Sequence, residues 1–216
     1  MKLTAVNIFF DYGQFLWDIS AMAKPVQKRT LETRARLIQS AEALIEKAGY
    51  EALRVEEVVL AAGVAKGTFF AHFKDKDALM DLLIGREING CLDAIEKRPP
   101  PESVDDLVRA LMPLMTAMTS ERYVFDVVIR HSGAVAIEEI GVIATTFERQ
   151  IHVFANWLAK GPFRRDVPPP LLAEGVQAFA IQTMALNFCA LHTQEDMAER
   201  LRGYLEAWLL PTASAR

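Results

Sequence analysis

Cysteine is scarce in this sequence, and its scarcity argues against two kinds of stabilising site. The chain has two cysteines, Cys91 and Cys189, and neither has the CxxC partner typical of zinc and redox motifs. We therefore expect no disulfide framework and no cysteine metal site. This usage fits a reducing cytosol, so we predict a cytoplasmic protein.

Long apolar runs are missing too. No stretch approaches the roughly 20 apolar residues needed to span a bilayer, so we predict no membrane segment. Residues 1–27 hold an apolar patch, but Asp11 and Asp18 interrupt it and no clear small-residue cleavage site follows. We predict a flexible extension rather than a signal peptide, with Met22 as an alternative start of translation.

Signatures of catalysis are also lacking. The four histidines of the chain form no HExxH motif and no cysteine–histidine pair, and neither a GxSxG context nor a glycine-rich phosphate loop occurs. Glu138 and Glu139 suit a solvated helix face better than a catalytic pair. An enzyme is therefore a poor interpretation, and we predict no cofactor and no metal.

Charge is distributed unevenly along the chain. The formal net charge is -4, yet the segment from Lys24 to Arg36 contains five basic residues and only one acidic residue. A local basic patch attracts a phosphate backbone even when the whole chain is acidic.

Apolar residues recur at spacings of three and four from Thr30 onward, which is typical of amphipathic helices. No segment alternates like a strand, so we predict an all-α fold of about nine helices. Pro113 is expected to kink or split one of them. The predicted helices after the Arg98–Pro101 break are Ser103–Thr119, Glu121–His131, Val135–Lys160, Pro170–His192 and Gln194–Leu210.

The stretch from Val55 to Leu79 predicts a helix-turn-helix. Two short helices, about Val55–Ala62 and Lys66–Phe73, are joined by a turn at Gly63, where a side chain would be penalised. Phe69 and Phe73 are expected to anchor the second helix on the core. Its N-terminal end would then be free to enter a major groove.

These residues resemble the TetR family of regulators. The resemblance rests on Ala62-Gly63-Val64, on Lys66-Gly67-Thr68-Phe69 and on the segment from Phe73 to Leu79. It implies a three-helix DNA-binding domain over residues 28–80 and a helical ligand-binding and dimerisation domain over 81–216. The implied partners are an operator in double-stranded DNA, a small-molecule effector and a second copy of the chain.

Carrying the family's contacts over residue by residue gives the candidate DNA-binding set. Lys76 would touch the phosphate backbone, and the departures from the family pattern are Phe70 for tyrosine, Ala65 for serine, Arg54 for a Ser or Thr cap, and Val59 for alanine. Phe70 could equally pack on the core or touch a thymine methyl or sugar. The full set is Arg34, Ala65, Lys66, Gly67, Thr68, Phe70, His72 and Lys76.

The segment 103–192 is apolar enough to form a core with a ligand cavity, and its large side chains predict an apolar or aromatic effector. For most of these residues plain core packing is the competing interpretation. The candidate ligand-binding residues are Met112, Met115, Phe125, His131, Phe147, Phe154, Trp157 and Phe179.

The last two predicted helices carry more apolar residues than one core face needs. The family resemblance implies that they pair with their copies in a homodimer, where small residues such as Ala180 and Thr183 would allow close approach. Burial within one subunit is the alternative.

Three functions fit these observations. The first is a repressor that a ligand releases from a near-palindromic operator. The second is an activator or a constitutive regulator on the same fold. The third is a helical ligand carrier or interaction protein whose DNA-binding domain has degenerated, an interpretation that Phe70 and Ala65 keep open and the basic stretch opposes.

Overall fold

A computed structural model describes residues 28–132, 140–189 and 195–210, and within them the protein is all-helical. The predicted extension over residues 1–27 lies outside the described residues. The nine helices in these ranges are α1 (Lys28–Ala48), α2 (Val55–Ala61), α3 (Lys66–Phe70), α4 (Lys76–Glu96), α5 (Val104–Met118), α6 (Arg122–His131), α7 (Val142–Lys160), α8 (Pro169–Asn187) and α9 (Met197–Leu209).

Helices α1 to α3 form a three-helix unit because a glycine turns the chain at each of the two junctions between them. Gly49 ends α1 at a φ of 83°, and Gly63 follows α2 at a φ of 65°, both in the left-handed region that favours glycine. The predicted turn positions are confirmed. Helix α3 ends at Phe70 rather than near Phe73, so it is shorter than the apolar spacing predicts.

Helix α4 connects this unit to the rest of the protein. Asp75 caps its first turn by accepting a hydrogen bond from the Ala78 N–H at 2.8 Å, as its sequence position predicts. The helix packs against α1 on one side and against α5, α6 and α7 on the other. Its C-terminal half is fixed to α7 by Arg149, whose guanidinium lies 2.6 Å from Asp93 and 2.7 Å from Glu96.

Helices α5 to α9 pack around one apolar core with α4. Helix α5 runs without a break through Pro113, so the alternative of a split helix is wrong. Pro113 lies on the exposed face, where water can satisfy the carbonyl that a proline leaves without its N–H donor.

Two other expectations need correction. Helix α7 begins at Val142 rather than at Val135, and Ile140 and Gly141 are not helical. Thr183 is completely buried within its own subunit, so it is not available to a partner copy. Among the described residues, no helix is long and apolar enough to cross a membrane.

Candidate functional site

The angle between α2 and α3 is fixed by the turn at Gly63. The Gly63 N–H donates to the carbonyl of Leu60 at 3.1 Å, and the Val64 N–H donates to that of Val59 at 3.0 Å. Because these bonds use the carbonyls at the end of α2, the chain leaves that helix in a fixed direction. The geometry is the helix-turn-helix that the sequence predicts.

Two phenylalanines hold one face of α3 against the core. Phe69 is completely buried, Phe73 is nearly so, and their ring centroids lie 5.4 Å apart. The opposite face is left to solvent, and it carries Ala65, Lys66, Gly67 and Phe70. The structure thus brings half of the predicted contact residues together on one exposed surface at the start of α3.

Phe70 lies at the boundary between the core and the solvent. Its side chain is 49% exposed, and its ring meets that of Phe69 edge-on, with 5.3 Å between centroids. Both roles that the sequence leaves open stay predictions, because the ring touches buried Phe69 on one edge and is exposed on the other. An exposed aromatic ring on this surface suits apolar contact with a thymine methyl or a sugar.

Lys66 forms an ion pair on the same surface. Its Nζ lies 2.6 Å from the Glu56 Oε1 of α2, and both side chains are more than half exposed. The hydrogen bond from Lys66 lowers the pKa of Glu56, so this carboxylate is ionised at neutral pH. Glu56 therefore competes with any phosphate for the Lys66 ammonium group.

The remaining predicted contacts lie at the edges of this surface and are only partly exposed. Arg34 of α1 stacks on Phe73, 4.8 Å from the ring centroid, and Lys76 lies 4.9 Å from the centroid of Tyr123. Burial and the charge of Arg54 lower the pKa of Lys76. Thr68 and His72 are half-buried.

The departures from the family pattern leave both short helices without side-chain caps. Arg54 and Ala65 precede α2 and α3, and neither side chain makes a capping hydrogen bond. A Ser or Thr at such a position typically contributes about 1 kcal/mol. Phe69 and the Gly63 turn therefore hold the unit together without that contribution.

Most of the predicted ligand-binding residues lie in the core of the helical domain. Met112 is half-exposed and lines a shallow cleft of about 700 Å³ that also contains Cys91. Phe179 stacks on Tyr204 of α9 with 5.1 Å between ring centroids, so it joins the last two helices. The buried members are Met115, Phe125, Phe147, Phe154 and Trp157.

His131 ends α6 beside a buried carboxylate that the sequence analysis did not single out. Asp81 of α4 accepts hydrogen bonds from the Val142 N–H at 2.8 Å and the Ile143 N–H at 3.0 Å. The His131 Nδ1 lies 3.9 Å from the same carboxylate. Asp81 thus caps the start of α7 from another helix. An acidic residue on the buried face of α4, one turn before Gly85, is the signal that could have revealed it.

Glu121, at the start of α6, is a second residue that the sequence analysis did not identify. Its carboxylate accepts hydrogen bonds from the backbone N–H groups of Tyr50 at 2.7 Å and Glu51 at 3.1 Å. Tyr50 in turn donates its hydroxyl to Glu87 of α4 at 2.8 Å, and burial with this bond raises the pKa of Tyr50. Helix α6 is therefore bonded directly to the turn between α1 and α2.

Comparisons with known proteins agree with this geometry. Residues 37–83 match the family model described as bacterial regulatory proteins, tetR family. The chain is 28% identical over 120 residues to the HTH-type transcriptional repressor KstR of Rhodococcus jostii, covering 51% of this chain and 55% of that protein. It is 32% identical over 146 residues to KstR of Mycobacterium tuberculosis, covering 62% of each. The chain thus spans little more than half the length of these curated relatives.

A solved structure shares the fold over most of the chain. The TetR-family transcriptional repressor FadR of Thermus thermophilus, crystallised with lauroyl-CoA, superposes with a TM-score of 0.59 at 20% identity. The superposition covers 85% of this chain and 98% of FadR. This likeness extends the common architecture beyond the segment that the family model matches.

Proposed function

We propose that this protein is a ligand-responsive transcriptional regulator of the TetR family, whose model matches residues 37–83. In the simplest version of this proposal, the protein is a cytoplasmic repressor that leaves a near-palindromic operator when a small apolar or aromatic molecule binds. The observation that carries the proposal is the exposed face of α3, which a buried Phe69 and a glycine turn hold outward.

DNA recognition is assigned to this face. Lys66 exchanges Glu56 for a phosphate, while Thr68 and Phe70 meet the edges of bases or sugars. Arg34 and Lys76 lie beside it and contribute positive charge toward the backbone. A lysine on a phosphate strengthens binding to all sequences, whereas contacts to base edges select among them.

A homodimer places two such faces on the two halves of an operator. Helix α8 supports this arrangement because it is apolar on nearly all sides. Leu171, Ala178 and Ala185 form part of its exposed face, and small side chains there allow a second α8 to approach closely. Ala180 packs against the core of its own subunit and lies about half a turn around the helix from this face, so the proposed interface does not include it.

The effector is proposed to bind among the large side chains of α5 to α8. It can act only by binding one arrangement of the helices more tightly than another. Two routes lead from this core to the DNA-binding unit. One is α4, which belongs to both parts, and the other is the bond between Glu121 and the turn after α1.

A gel-shift experiment on the DNA upstream of the protein's own gene tests the proposal. The wild-type protein should retard this fragment, and the Lys66→Ala/Thr68→Ala double variant should not, although its circular dichroism spectrum stays unchanged. Failure of the folded wild-type protein to bind DNA at low salt would favour the degenerate ligand carrier instead. A reporter gene on the same fragment distinguishes repression from activation.

A further inference from the structure

Two glutamine side chains meet inside the helical domain. Gln150 of α7 is 4% exposed, and Gln177 of α8 is half-buried beside it. The Gln177 Nε2 donates to the backbone carbonyl of Phe147 at 2.9 Å and lies 3.4 Å from the Gln150 Oε1. The pair therefore joins α7 and α8 through polar groups within an apolar core.

This contact fixes the orientation of both amides. A carbonyl oxygen accepts but does not donate, so Gln177 must turn its nitrogen toward Phe147. Gln150 must then turn its oxygen toward that nitrogen, because two amide nitrogens would repel each other. The Gln150 Nε2 is left facing elsewhere, and it has no hydrogen-bond partner among the described residues.

A second buried polar atom lies on α8. The hydroxyl of Thr183 is completely buried and has no partner in the described part of the chain. It lies six residues beyond Gln177, which corresponds to about 9 Å along a helix. Most buried polar groups in folded proteins are hydrogen-bonded, and each exception needs a physical reason.

We infer that the Gln150 amide is a recognition group for the effector: it donates a hydrogen bond to an acceptor oxygen on a largely apolar molecule bound between α7 and α8. This inference rests on the proposed function and narrows its ligand class. An apolar effector without such an oxygen would leave the amide unsatisfied, so the site selects against it.

The inference makes a prediction for the protein without any ligand. Gln150→Met keeps the size of the side chain and removes the unsatisfied donor, together with the long 3.4 Å contact to Gln177, whose Nε2 keeps its 2.9 Å bond to the Phe147 carbonyl. Its melting temperature should therefore stay close to that of the wild type or exceed it by up to about 4 °C. Gln177→Met, the matched control, removes a bond that is made and should lower the melting temperature. A drop in Gln150→Met as large as that in Gln177→Met would overturn the inference, because the loss of the long contact to Gln177 alone cannot cost that much and the amide nitrogen would already have a partner.

Matched probes test the selectivity itself. Benzophenone and 1,1-diphenylethylene differ by one carbonyl oxygen, and so do 2-undecanone and 2-methyl-1-undecene. In at least one pair the ketone should raise the melting temperature of the wild type more than the alkene does, and Gln150→Met should reduce this preference at least fivefold in affinity. Equal responses to ketone and alkene in both pairs, including no response at all, would contradict the inference.

Operator binding separates this inference from the proposed function. Gln150 lies far along the chain from the exposed face of α3, so unliganded Gln150→Met should retard the upstream DNA as the wild type does. If the wild type does not bind the DNA, the proposed function is wrong, but the melting temperatures still test the role of the Gln150 amide. If the wild type binds the DNA but shows no preference for ketones, only the inference about Gln150 is wrong and the proposed function stands.

Discussion

The Glu121 carboxylate accepts a hydrogen bond from the backbone N–H of Tyr50 at 2.7 Å, across 71 positions of sequence. It also reaches the next N–H, that of Glu51, and leaves its own helix without a side-chain cap. A Cβ at Gly49 would collide with this carboxylate, so the glycine serves both the turn and the contact. The bond ties the helical domain to the three-helix unit of α1 to α3 at a point separate from α4.

Removing this acceptor should loosen the turn after α1. In Glu121→Ala the two N–H groups lose a charged partner, which typically costs about 1–3 kcal/mol of stability. Hydrogen exchange should become faster over residues 49–53. Glu148→Ala, an exposed residue of α7, is the control and should leave exchange there unchanged. Unaltered protection in Glu121→Ala would show that the bond does not hold the turn.

Asp81 is expected to be among the residues most sensitive to a small change. Asp81→Asn keeps the shape but offers one acceptor oxygen to two N–H groups and places an NH₂ group against the other, and it removes a negative charge from the start of α7. We expect a loss of about 1–3 kcal/mol in the free energy of unfolding. Asp126→Asn, which affects an exposed ion pair with Arg122, should cost less than about 0.5 kcal/mol. Equal costs in urea denaturation would contradict the assignment of the cap.

Glu56 should weaken DNA binding in the wild type. Glu56→Gln removes a negative charge beside the proposed DNA-binding face of α3 and frees Lys66, so affinity for the upstream fragment should rise about 2- to 5-fold at low salt. Glu57→Gln on the same helix removes an equal charge without freeing a lysine and should give a smaller increase. Fluorescence anisotropy measures both. A Glu56→Gln protein that binds no better than Glu57→Gln would show that the ion pair does not compete with DNA.

The dimer is predicted to depend on the exposed face of α8. Ala185→Glu would place a charge against its own copy in a desolvated interface, at a cost of several kcal/mol. Light scattering should then report monomers, whereas Ala94→Glu on the exposed face of α4 should remain dimeric. A dimeric Ala185→Glu protein would place the interface on another surface.

Local chemistry explains why much of the DNA-binding unit could be predicted from the sequence. Gly49 and Gly63 mark turns, Asp75 caps α4, and Phe69 and Phe73 follow the helical period; each signal lies within a few residues of the structure that it specifies. The same spacing rules extended α7 back to Val135, because an apolar pattern alone cannot report the tertiary contact that starts the helix. Asp81 supplies that contact at Val142.

Contacts between distant segments could not be predicted in this way. Nothing near Glu121 or Tyr50 indicates that they meet, and the orientation of the Gln150 amide depends on a carbonyl from one helix and a side chain from another. The predicted ligand-binding set failed to separate lining from core for the same reason. Met115 and Phe154 are the kind of large apolar side chain that lines a cavity. Whether they line one depends on helices that are distant in the sequence.

The salt dependence of DNA binding tests the central claim most directly. The logarithm of affinity for the upstream fragment should fall linearly with the logarithm of salt concentration, and Lys66→Ala should reduce the magnitude of this slope by about 1 for each α3 face engaged, since one phosphate contact is lost there. Lys97→Ala, exposed at the far end of α4, should keep the wild-type slope. If Lys66→Ala has both the slope and the affinity of the wild type, the exposed face of α3 does not bind the DNA backbone and the account is wrong.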